Sequence, residues 1–128
     1  TRRSVDIEKI LHDFNVPSTI HYLSLDIEGA ESQVLSTFPF HTHQVLVISI
    51  EAPDLLARTV LRQQGFFFVQ ILACGSGALD ELWLHWQAPN FQRTMQQFAH
   101  SEPAIRPWTE RRSREHAERG KAAASKYA

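Results

Sequence analysis

The chain has 128 residues, of which 43% are hydrophobic and 21% charged. That suits one globular domain, is too little for two, and excludes a collagen-like, fibrous or wholly disordered class. A formal net charge of -1 argues against a nucleic-acid partner, and the single cysteine, Cys74, excludes an intramolecular disulfide framework and a zinc site built from several thiolates.

No apolar run approaches the roughly 20 residues that span a bilayer. The opening Thr1-Arg2-Arg3-Ser4 has no apolar stretch behind it, so no signal peptide is read and a cytoplasmic location is favoured. A first residue that is threonine suggests a processed or truncated chain. Charge is uneven: residues 1–100 hold six basic and ten acidic groups, residues 101–128 seven basic and four acidic. The expected organisation is a folded unit within 1–100, its core between residue 5 and about 88, and a basic tail over 101–128. The tail is disordered or a lone helix, because it cannot bury enough apolar surface to offset its ordering entropy.

In chain order, Ile7, Ile10, Leu11 and Phe14 give the three-and-four spacing of a helix, which Asn15-Val16-Pro17-Ser18 breaks. Ile20 to Ile27 reads as a strand. Glu28-Gly29-Ala30 turns into a helix from about Ala30 to Thr37, which Pro39 ends. Gln44 to Ile50 is almost continuously aliphatic, the mark of a strand covered on both faces. Pro53-Asp54 starts a helix expected to turn Leu55, Leu56, Val60 and Leu61 inward and Arg58 and Arg62 outward, with Gly65 beyond its C-terminus. Phe66 to Leu72 is a third strand, Gly75-Ser76-Gly77 a turn, and Glu81 to Gln87 a fourth strand. Trp83, Trp86 and Phe66-Phe67-Phe68 are expected in the core. Strands alternating with helices imply parallel pairing, and a final pair without a helix between implies antiparallel pairing. The class is α/β, with one antiparallel strand at or near an edge.

Ligands of open parallel sheets bind beyond the carboxyl ends of the strands. Asp26 ends the first strand and Glu51 the second, and neighbouring strands lie about 4.8 Å apart, so the two acids are expected to face one crevice. A carboxylate after a buried strand is costly unless paired. Glu28 and Glu31 suit the positive end of the next helix, and Gly29 allows a tight turn and close approach of a ligand. His41 and His43 read as surface loop histidines, His85 as a satisfied half-buried one, and Cys74 as inert.

The stretch Asn15 to Glu31, containing Tyr22-Leu23-Ser24-Leu25-Asp26-Ile27-Glu28-Gly29-Ala30-Glu31, with Val34-Leu35 and Phe38-Pro39-Phe40 after it, resembles the central segment of FkbM-type methyltransferases. That family reads approximately I-D-Y-L-S-L-D-x-E-G-x-E, then a helix and an apolar strand ending in glutamate. His21 stands where the family has aspartate, and Ala52-Pro53 where it often has histidine and asparagine.

The resemblance, over roughly residues 5–88, implies part of a Rossmann-like class I methyltransferase sheet, mostly parallel, with helices on both faces and an antiparallel final strand beside the second of these four. It implies S-adenosylmethionine as cofactor, a small-molecule, sugar or lipid hydroxyl as acceptor, Asp26 and Glu51 as catalytic residues, and Asp26, Glu28 and Gly29 at the cofactor. No resident metal is expected, although Asp26 and Glu51 offer oxygen ligands of the kind magnesium takes. No glycine-rich turn precedes Asp26, so the chain reads as the C-terminal half of such a domain, inactive alone and able to self-associate through an exposed sheet edge. A non-catalytic binding module is the alternative.

Overall fold

The computed structural model describes residues 5–73 and 79–98. Its elements are α1 (Ile7–Asp13), β1 (Thr19–Leu25), α2 (Glu31–Thr37), β2 (Gln44–Glu51), α3 (Leu55–Gln63), β3 (Phe66–Ala73), β4 (Leu79–His85) and α4 (Phe91–Phe98). The class is α/β, as expected. Cys74, the Gly75-Ser76-Gly77 turn and the basic tail lie outside the described residues.

Local chemistry fixes the helix starts. The Asp6 carboxylate accepts the Glu8 amide at 3.2 Å to open α1, and Asp54 accepts the Ala57 amide at 2.8 Å to open α3. After α3, Gly65 takes a φ of 86°, and a Cβ there would lie 2.7 Å from Trp86 Cδ1. Only glycine meets both demands.

The sheet order is β1-β2-β4-β3, with β1 parallel to β2 and β4 antiparallel to both its neighbours. β1, β2 and β3 therefore run one way, and β4 is inserted between β2 and β3 rather than placed at the edge. This is the arrangement of part of a Rossmann-like sheet. On one face, Leu11 of α1, Leu35 and Phe38 beside α2, and Ala57 and Leu61 of α3 pack with Leu25, Ile48, Ile50, Phe66, Phe68 and Trp83. On the other, Phe91, Met95 and Phe98 of α4 cover Val69 and Leu84.

Three expectations need correction. In α3, Leu55 and Leu56 are exposed while Ala57, Arg58 and Leu61 are buried. Starting the helix at Asp54 turns that face to the sheet, and Glu81 draws Arg58 in. Trp86 and Phe67 are also exposed: Phe67 faces away from the main core and stands edge-on to Phe91, at 5.2 Å between ring centroids. Finally, the fold runs past residue 88 through α4, whose Phe91, Met95 and Phe98 carry a helical spacing.

Candidate functional site

Leu25, the last residue of β1, pairs with Ile50, the penultimate residue of β2, so Asp26 and Glu51 come off adjacent strands at the same height. The side chains of Asp26, Glu28 and Glu51 offer oxygens that all lie within 4.8 Å of one another. The sequence-predicted acids are thus brought together at one rim, beyond the carboxyl ends of two parallel strands.

The loop from Asp26 to Gly29 is held by Glu31. Its buried carboxylate accepts the amides of Ile27 at 2.9 Å and Gly29 at 3.3 Å. Between them Glu28 and Gly29 take left-handed φ values of 56° and 100°. Glutamate rarely visits that region, and the clip from Glu31 maintains it. Glu31 stands in the first turn of α2, at the positive end read from sequence, and its carboxylate holds the loop amides, with no side-chain cap on the helix itself. Glu28 lies before the first turn of α2 and projects into the acidic group. At Gly29 the required φ explains the residue, and a Cβ there would meet nothing within 4 Å.

Sequence reasoning missed a fourth acid. Asp80 is the β4 partner of Glu51 in the antiparallel register. The order of the last two strands held the signal, since β4 returns its first residues to the carboxyl end of β2. Burial, and then the charge of Asp26, raise the Asp80 carboxyl above its usual range. Glu51 is pushed up to about 7, first by its hydrogen bond with Asp26, then by burial and by the charges of Asp26, Glu28 and Asp80. Asp26 and Glu28 are exposed, so the desolvation cost falls on Glu51 and Asp80. No ion pair joins any of these four acids to a basic group among the described residues.

Such a rim favours a positive charge. Its carboxylate oxygens suit a hard cation, and a sulfonium or ammonium is attracted by the same field. Behind it, a hydroxyl row runs along the same face of β1 and β2: Tyr22 Oη meets Ser49 Oγ at 2.6 Å, and Ser49 donates to Ser24 Oγ at 3.2 Å.

The candidate histidines make local contacts. His43 contacts the Val16 carbonyl oxygen at 3.3 Å in a loop, and His41 is exposed. His85 is buried between the Gln64 carbonyl, 3.1 Å from its Nε2, and the Gln87 amide, which donates to its Nδ1 at 3.2 Å. Burial lowers its pKa, so it is held neutral as a brace beneath the Gly65 turn.

The sequence profile of the methyltransferase FkbM domain matches residues 1–75. The chain belongs to the FkbM methyltransferase family. The match includes β1, the Asp26–Glu31 loop and β2 with Glu51, and it stops short of β4 and Asp80. No curated protein and no solved structure matches the chain. Among the described residues, no helix is long and apolar enough to cross a membrane.

Proposed function

We propose that this chain supplies the acceptor-side rim of an S-adenosylmethionine-dependent O-methyltransferase acting on a hydroxyl of a small molecule, sugar or lipid. The observation that carries the reading is the convergence of Asp26, Glu28 and Glu51 at the strand ends of an FkbM domain. The residues fit the cofactor in charge, because a rim of acids with no basic partner among the described residues matches a sulfonium. When bound, S-adenosylmethionine supplies an electrophilic methyl group. Asp26 and Glu28 hold positive charge at the rim, and the Gly29 backbone leaves open space beside it.

The chain's own chemistry is proton removal and alignment. Glu51, pushed up to about 7, exchanges a proton near neutral pH and takes one from the acceptor hydroxyl onto a carboxylate oxygen. Asp26 raises the proton affinity of Glu51 and orients it. Holding the reacting groups aligned contributes roughly 7 to 11 kcal/mol to such displacements.

The test is transfer of a labelled methyl group from S-adenosylmethionine to hydroxyl acceptors by the full gene product. Glu51→Gln is expected to lower turnover by about 10² to 10⁴, the usual share of a general base. No donor binding by that protein would end the methyltransferase reading and favour a non-catalytic binding or interaction domain.

A further inference from the structure

Glu81 is 1% exposed and Arg58 4% exposed, and they form a buried ion pair. Arg58 Nη2 donates to Glu81 Oε1 at 2.7 Å, and its Nε lies 3.1 Å and 3.3 Å from the two carboxylate oxygens. Trp83 Nε1 donates to Glu81 Oε2 at 3.0 Å. All of this lies on the core face of the sheet, whereas successive strand residues point to opposite faces. Glu81 points down beside Ile50, so its neighbour Asp80 points up beside Glu51.

The chain closes a ring around this point. From Glu51 it passes through Ala52, held at a φ of 36°, and the buried Pro53 to the cap Asp54. One turn into α3 stands Arg58, which grips Glu81, and the next residue back is Asp80, opposite Glu51 again. The Ala52 amide donates to the Leu79 carbonyl at 2.9 Å, which continues the ladder one step beyond the acids. That makes Glu51 and Asp80 a pair without mutual backbone hydrogen bonds, the kind whose Cα atoms and side chains stand closest, at about 4.5 Å.

We propose that Arg58 and Glu81 are positioning residues of the rim: their buried pairing locks the start of β4 onto β2 and thereby places Asp80 against Glu51. Like charges directly opposite on adjacent strands push the ladder apart. A slip of β4 that relieved this would pull the Glu81 carboxylate away from the Arg58 guanidinium inside the core, and breaking a buried ion pair is the larger cost. The ion pair on one face thus enforces an unfavourable pairing on the other. A functional consequence rests on the methyltransferase reading above, whereas the register lock does not.

Nuclear magnetic resonance on the labelled chain, without ligand, tests the lock. In Arg58→Met/Glu81→Gln the Trp83 indole keeps an acceptor and no buried charge remains. The Hα–Hα cross-peak between Glu51 and Asp80 is expected to vanish, and the Ala52 amide to exchange about tenfold faster or more, while the β1–β2 amides keep their protection. A retained cross-peak with unchanged Ala52 exchange would overturn the proposal. Should the double variant fail to fold, Arg58→Lys serves: faster exchange confined to Leu79–Glu81 and Ala52 supports the lock, and uniform acceleration across the sheet overturns it. Neither readout involves methyl transfer, so failure of the functional reading would leave this test intact.

Discussion

Along β4, Glu81 enters the core, where Arg58 and the Trp83 indole take up its carboxylate oxygens. One residue earlier, Asp80 emerges on the far face opposite Glu51 and within the field of Asp26. The two regions share a backbone segment and differ in how charge is compensated. Inside, a single acid is matched by a guanidinium and an N–H donor. At the rim, four acids stand together and two carboxyls, those of Glu51 and Asp80, resist ionisation. Neutralisation serves the fold at the first place, and at the second no basic group among the described residues supplies it.

The largest expected break in that contrast comes from the core. Arg58→Ala strands the Glu81 carboxylate and should destabilise the chain by about 3 to 5 kcal/mol in denaturant unfolding, the range for breaking a buried pair by removing one partner. A loss within the range of a surface substitution would show that the pair does not anchor α3 to β4.

The rim responds to pH instead. Glu51 is raised from an ordinary 4.5 to about 7 in the folded chain. Its contribution to stability is complete below about pH 4.5 and is lost as pH rises through about 7. Asp80 shifts in the same direction. The denaturation midpoint should therefore fall from pH 5 to pH 8, and Glu51→Gln should flatten that fall and exceed the parent in stability at pH 8. His85 acts oppositely, because burial lowers its pKa and its contribution is lost as pH falls through the folded value. Unfolding curves of His85→Gln below pH 6 separate the two, since this variant should lose the acid-side decline. Smallest is the cap: Asp54→Ala should cost about 1 kcal/mol in denaturant unfolding, and it sharpens the comparison by loosening the start of α3 while every charge of the rim and of the buried pair is retained.

Much of this was legible in the sequence, for physical reasons. The aliphatic run from Val45 to Ile50 marks a buried strand whatever its partners, and acids that end such strands in a parallel pair must share a rim. The Asp26–Glu31 motif gave the loop and the family. Less legible were features that depend on a partner distant in sequence. Arg58 reads as a solvent-facing helix residue until Glu81, 23 positions later, is placed beside it. Asp80 reads as a strand-end charge until the antiparallel register sets it against Glu51. Phe67 and Trp86 read as core because their faces could not be assigned before the strands were ordered. In α4, the intervals between Phe91, Met95 and Phe98 are helical, but the face they form has meaning only once Val69 and Leu84 are placed beneath it.

The two halves of the rim differ mechanically. Among the described residues β2 has a strand on either flank and β1 has one on a single flank, so Glu51 rises from the middle of a braced sheet and Asp26 from its margin. A guest bridging Asp26 and Glu51 therefore ties a strand flanked once to a strand flanked twice among the described residues.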